Sequence, residues 1–129
     1  MTSDGLVILY HGTDWASALD ILNQGLDIEH LRQFQVGRMT QLGEGWYTTD
    51  RVDIAWYFAS IAPGAIGNSY TVIEMHILWE HLETLLDQQL AIKSPINNVV
   101  FEGEQYWFHP DSFPFLNEQV VFHPCTGES

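Results

Sequence analysis

One short run constrains this chain more than any other. Leu6 to Tyr10, "LVILY", leads straight into His11, Gly12 and Thr13, and a helical pattern begins at once. An apolar run with so little polar alternation predicts a central strand buried on both faces. Histidine and threonine hydrogen-bond through their side chains, and glycine lets another molecule reach the backbone. A strand that ends in such a trio reads as the floor of a site.

Thr13 or Asp14 can cap the helix that follows. Ala18, Leu19, Ile21, Leu22 and Leu26 recur at helical spacing, and Gly25 is a natural stop. From Asp27 to Gly43 periodicity is weak. A helical turn around Glu29 to Phe34 is expected, within a long loop that carries Arg32 and Arg38, and loops of that length in compact domains are often functional. "GEGWYTTD" then predicts a short strand, Trp46 to Thr48, with Asp50 capping a second helix and Asp53 in its first turn. Ile54, Ala55, Phe58 and Ile61 form the apolar stripe of that helix. Tyr70 to Leu78 reads as a strand and Trp79 to Asp87 as a short helix. Gln89 to Lys93, Asn98 to Phe101 and Gln105 to Phe108 read as short strands, "HPDSFPFLN" as a loop or single helical turn, and Glu118 to Phe122 as a final strand. Several short strands with two clear helices indicate an α+β domain. The length of 129 residues suits one domain, 1–129, with one core.

Charge narrows the function classes. Four basic residues face seventeen acidic ones, for a net charge of −13. Nucleic-acid binding relies on clustered Lys and Arg, and anionic membrane surfaces attract the same residues, so both partners are disfavoured. A basic protein partner is compatible with this surface, as is simple solubility. The single cysteine, Cys125, allows no internal disulfide, which fits a reducing compartment. The N-terminus has no basic segment ahead of an apolar run of signal or membrane-span length, so a cytoplasmic protein is expected, with export by a route lacking such a signal left open. His109, His123 and Cys125 match no zinc-ligand spacing, and no metal is expected. His30, His76 and His81 belong to no constellation.

Three separated fragments complete the reading: "YHGT" at Tyr10–Thr13, "GEGWYTTDRVDIAWYFA" at Gly43–Ala59, and "NEQVVF" at Asn117–Phe122. In order and rough spacing they resemble the His-Tyr-Glu branch of the ADP-ribosyltransferase superfamily, which includes diphtheria toxin and the poly(ADP-ribose) polymerases. The first resembles the family's "HG(T/S)" at the end of its first strand. The second resembles "G-x-G-x-Y" with a second aromatic eleven positions on. The third resembles the late strand that begins with the catalytic glutamate. The resemblance covers most of the chain and implies a split β-sandwich of two small, mostly antiparallel sheets with flanking helices.

It also implies roles. His11 would hydrogen-bond the adenosine ribose of NAD, beside Thr13. Gly12 would clamp the nicotinamide carboxamide through its backbone. Tyr47 and Phe58 would sandwich the nicotinamide ring, with Tyr57 the alternative to Phe58. Glu118 would hold the ribose cation as the glycosidic bond breaks. Arg32 and Arg38 would reach the pyrophosphate, or make ordinary surface ion pairs. A fixed carboxylate beside a developing sugar cation is worth most in the transition state, and aromatic faces suit a cationic pyridinium. The implied activity is mono-ADP-ribosyl transfer from NAD to a protein acceptor, in the manner of small toxin or effector domains. NAD glycohydrolysis and a silent NAD-binding or protein-binding module are the alternatives.

The chain also departs from the pattern. Phenylalanine stands at position 58, where the family usually has tyrosine. Leu116 stands two positions before Glu118, where the arginine-specific branch carries an acidic residue or glutamine, and that branch's Ser-Thr-Ser strand is missing. Arginine is therefore disfavoured as acceptor. RNA 2′-phosphotransferases share the fold but need basic residues for phosphate, which this acidic chain lacks.

Overall fold

The computed structural model describes residues 5–27, 45–61, 70–97 and 102–125. Arg32, Arg38, the helical turn expected around Glu29–Phe34, Gly43, Glu44 and the whole strand expected over Asn98–Phe101 lie outside these residues. In chain order the described elements are β1 (Leu6–Asp14), α1 (Trp15–Gln24), β2 (Trp46–Thr49), α2 (Val52–Ser60), β3 (Tyr70–Leu78), α3 (Trp79–Asp87), β4 (Ala91–Asn97), β5 (Glu102–Phe108), α4 (Phe113–Gln119) and β6 (Val121–Pro124). The fold is α+β. Its strands form one antiparallel sheet in the order β4-β5-β2-β1-β3-β6. Among the described residues no helix is long and apolar enough to cross a membrane.

The sheet is unevenly stitched. β1 pairs with β3 along its whole length, from Leu6↔Leu78 to Asp14↔Tyr70. β2 pairs with β5 from Trp46↔Phe108 to Thr49↔Gln105. β1 and β2 meet at one assigned pair, Tyr10↔Thr49. Two well-knit groups of three strands, β4-β5-β2 and β1-β3-β6, therefore join through a narrow seam.

Each face of the sheet has its own cover. Leu9 of β1, Trp46 of β2, Ile73, Met75 and Ile77 of β3, and Phe108 of β5 form the main core with Ala18 and Ile21 of α1, Leu82 and Leu85 of α3, and Phe113 and Leu116 of α4. On the opposite face α2 lies across β1 and β3, where Ala55 and Ala59 pack with Val72 and Cys125. Strand alternation explains the division, since successive residues of β1 point to opposite faces.

Several sequence expectations need correcting. β1 does not stop at Tyr10. His11, Gly12 and Thr13 lie inside the strand because β3 continues to pair with them. Nor is β1 buried throughout, since Ile8 is 37% exposed where α2 no longer covers the sheet. Asp50 does not cap the second helix. The residue before that helix is Arg51, which makes no side-chain cap, whereas Asp50 Oδ1 accepts from the Glu104 amide at 3.2 Å and ties β2 to β5. β4 runs through Pro95, which is tolerated because β4 is an edge strand. "FPFLNEQ" is a helix, and the final strand begins three residues later than expected, at Val121.

Gly12 is where the two layers touch most closely. A Cβ there would lie 2.0 Å from the Ala55 carbonyl oxygen and 2.6 Å from the Ala59 nitrogen, both backbone atoms of α2. The missing Cβ, read from the sequence as clearance for a ligand, is what lets α2 sit on the sheet. Gly12→Ala must displace a helix backbone and is expected to destabilise the fold by about 1–3 kcal/mol or more, measurable as a lower midpoint in denaturant unfolding.

Candidate functional site

The seam between β1 and β2 gathers several of the residues singled out in the sequence. His11 Nδ1 lies 2.7 Å from the Tyr47 backbone carbonyl. A carbonyl only accepts, so Nδ1 carries the proton, and in the neutral ring Nε2 is the acceptor nitrogen. The His11 ring also packs on Trp46, with centroids 4.6 Å apart and planes 33° from parallel. Trp46 is fully buried and is held in turn by Phe108 and the edge of Phe122. The imidazole is thus fixed in tautomer and orientation by groups from β2.

That contact also ends the β1–β2 ladder. Continuing the register from Tyr10↔Thr49 sets Gly12 opposite Tyr47. The Tyr47 carbonyl, however, receives the His11 ring. Gly12 is turned toward the same gap. Its partner in β3 is Val72, whose carbonyl accepts from Cys125 N at 2.9 Å on the β6 side. A strand residue's N–H and C=O point the same way, so Gly12 and Val72 form a non-hydrogen-bonded pair, and the N–H and C=O of Gly12 face β2. Among the described residues the assigned pairing of β1 with β2 is confined to Tyr10↔Thr49.

α2 supplies the roof. Ile54 overlies Gly103 of β5, and Phe58 follows it by one helical turn on the same side. Phe58 is half-buried, on the β2–β5 side of the helix. Tyr57 follows the exposed Asp53 and is itself 44% exposed. Tyr47 alternates with Trp46 along β2, which puts its ring on the α2 face.

Thr13 and Asp14 turn inward at the end of β1. Asp14 is the N-cap of α1, accepting from Ser17 N at 3.0 Å, and the Thr13 hydroxyl donates to its other oxygen at 3.3 Å. Thr13 is buried and structurally engaged. Burial pushes the Asp14 carboxyl up, but the hydrogen bonds from Ser17, from its own amide and from Thr13 outweigh it, leaving the group below its ordinary value. Behind the seam, burial raises the Tyr10 phenol, helped by the charges of Glu74 and Cys125.

Glu118 is not brought to this seam. It is exposed in the last turn of α4. The neighbouring Asn117 explains why. Its amide accepts from Leu26 N at 2.7 Å and donates to Leu26 O at 3.0 Å, pinning α4 to the far end of α1. A helix of ten residues is about 15 Å long, so Asn117 is tied to the end of α1 opposite its Asp14 cap. No protein-family model, curated protein or solved structure gives a significant match to this chain. Among the described residues no three His, Cys, Asp or Glu side chains are grouped so as to hold a metal ion.

Sequence reasoning missed Trp46 as the support of His11, Asn117 as the α1–α4 clasp, and Trp107 as the neighbour of Tyr47 on β5. Each depends on strand register or a long-range contact that no local pattern encodes.

Because the Asp14 carboxyl is lowered in the fold, its contribution is complete above the ordinary carboxylate value and is lost as pH falls through the depressed one. Asp14→Ala is expected to cost about 1 kcal/mol at neutral pH. Asp14→Asn retains a capping oxygen and should flatten the loss of stability expected of the wild type below about pH 4. Urea unfolding at a series of pH values checks both outcomes.

Proposed function

We propose that this protein is an NAD-dependent mono-ADP-ribosyltransferase that cleaves the bond between nicotinamide and ribose and transfers ADP-ribose to a protein acceptor. The observation that carries the reading is the seam. The His11 imidazole meets the Tyr47 backbone carbonyl where the assigned ladder between β1 and β2 stops, and the backbone edge of Gly12 faces the same strand, while the Tyr47 and Phe58 rings belong to the opposite, α2 face of the sheet. On this reading the sheet works as two three-stranded halves, β4-β5-β2 and β1-β3-β6, parted at the substrate site.

The roles follow from the chemistry of each group. A backbone donor and acceptor side by side on Gly12 match a primary carboxamide. Tyr47 and Phe58 offer aromatic faces to a cationic ring. The acceptor nitrogen Nε2 of His11 suits a ribose hydroxyl. Positive charge grows on the ribose as the bond breaks, and a carboxylate there lowers the barrier. The family resemblance assigns that part to Glu118, which stands exposed at the end of α4 away from the seam, so the role requires α4 to move toward it. An acceptor with basic character fits the net charge of −13. A cytoplasmic toxin or effector is the role that the family resemblance suggests.

A second reading is favoured by the exposed position of Glu118 at the end of α4. It is a module that binds NAD through the same seam and does not turn it over.

Incubation with labelled NAD and a cell lysate separates the readings. Label on protein is the outcome expected of the transferase, with Glu118→Gln lowering the rate by about 10²–10³ while sparing NAD binding. Free ADP-ribose indicates hydrolysis to water, and binding without turnover indicates the silent module. Phe58→Ala is expected to weaken nicotinamide binding by about tenfold, the worth of one desolvated ring–cation contact. Tyr57→Ala is expected to leave it unchanged, as calorimetric titration will show.

A further inference from the structure

The α2 face of the sheet continues past the helix, where Ile8 stands exposed. On that open part β3 pairs with β6 through Glu74↔His123 and His76↔Val121. Glu74 and His76 alternate with the core residues Ile73, Met75 and Ile77, so their side chains take the opposite face. His123 faces Glu74 across the two strands and stands diagonal to His76, a separation that aromatic side chains span. The two imidazole rings meet with centroids 4.8 Å apart and planes 59° from parallel. No spacing along the chain joins His76 to His123. The expectation of no metal rests on such spacing, and the register of β3 with β6 is a relation that spacing does not carry.

His76 Nε2 lies 2.8 Å from Glu74 Oε1. A carboxylate only accepts, so Nε2 carries the proton, and in the neutral ring Nδ1 holds the free lone pair. A carboxylate behind a histidine, fixing its tautomer and raising its basicity, is the support that metal-binding histidines use. Glu74 and His76 are both half-buried, while His123 is exposed and its ring is free to turn. Zinc–nitrogen bonds of about 2.0–2.1 Å, with about 1.1 Å more to each ring centre, put two imidazoles on one ion about 4.5–5.2 Å apart between centroids. The observed separation falls inside that interval. Charge also favours a cation. The Glu74 carboxylate helps to push up the phenol of Tyr10, its partner across β1 and β3. The described basic side chains, Arg51 and Lys93, belong to the other half of the sheet.

We propose that His76 and His123 bind a late first-row divalent cation, of the Zn²⁺ and Cu²⁺ class, with Glu74 as the positioning residue behind His76. Imidazole suits these ions, whereas Mg²⁺ and Ca²⁺ require a set of oxygens. The protein supplies two nitrogens and water completes the shell. The site is therefore smaller than a group of three ligating side chains, of which the described residues hold none. It lies apart from the seam and does not rest on the NAD reading.

The test is a titration of the ¹⁵N-labelled full chain with zinc chloride, followed through the histidine ring nitrogens. Signals are assigned by their loss in His76→Gln and His123→Gln. Zinc is expected to shift Nδ1 of His76 and one ring nitrogen of His123 together, at a single midpoint, and magnesium to shift neither. His123→Gln changes an exposed position and should remove most of the His76 response over the same zinc range. Glu74→Gln should mix the two His76 tautomers and raise the Kd for zinc by about tenfold. Glu83→Gln, which removes an equal charge from α3, should leave the Kd unchanged. If His76 answers zinc as strongly in His123→Gln as in the wild type, or the two rings titrate at separate midpoints, each is an ordinary surface histidine and the proposal is overturned. It is overturned equally if Glu74→Gln binds zinc no more weakly than Glu83→Gln.

Discussion

The hydrogen bond from His11 to the Tyr47 carbonyl is the contact on which the rest of the site depends. It takes an acceptor that a regular ladder would give to β1 and gives it to a side chain. The pairing of β1 with β2 is then held to Tyr10↔Thr49, and the backbone edge of Gly12 faces a gap. The same bond sets the imidazole tautomer, and Trp46 beneath the ring sets its plane. A sheet normally satisfies its polar backbone groups internally. Here the assigned pairing between β1 and β2 is limited to Tyr10↔Thr49.

Gly12 serves two purposes through different atoms. Its absent side chain admits the backbone of α2, so that Ala55 and Ala59 rest directly on the strand. Its N–H and C=O point sideways, toward β2. A larger residue would lift α2 and with it Phe58. The small residues of α2 and the glycine of β1 together set the height of the roof above the seam.

Two of the chain's four basic residues, Arg32 and Arg38, lie outside the described residues. Among the described residues, Arg51 is paired with Asp53 at 2.7 Å and Lys93 sits over the Tyr106 ring, on the β4–β5 side of the sheet. On the NAD reading proposed above, ring stacking and backbone hydrogen bonds would contribute to affinity beside charge. The clasp between Asn117 and Leu26 acts in the opposite sense. It fixes α4 firmly and holds the adjacent carboxylate of Glu118 at a distance from the seam.

Local patterns in the chain were enough to establish the α+β class, the strand leading into His11, and the start of α1 at Asp14 with its stop at Gly25, because each depends on neighbours within a few positions; the stripe expected for α2 holds at Ile54 and Ala55, but Ile61 lies exposed past the helix end and Ala59 is the buried residue of the last turn. The "HGT" and "G-x-G-x-Y" fragments singled out His11 and Tyr47, and the structure joins them through the Tyr47 backbone carbonyl, not its ring. Tertiary structure decided the remainder. Pairing with β3 extended β1 past Gly12, the approach of α2 explained why position 12 lacks a side chain, and the register of β5 placed Trp107 beside Tyr47. Glu118 shows the limit most clearly. Its surroundings in sequence suggested the head of a strand, but the core packing of Phe113 and Leu116 and the Asn117 clasp favour a helix, and such long-range contacts leave no local trace in the residues that make them.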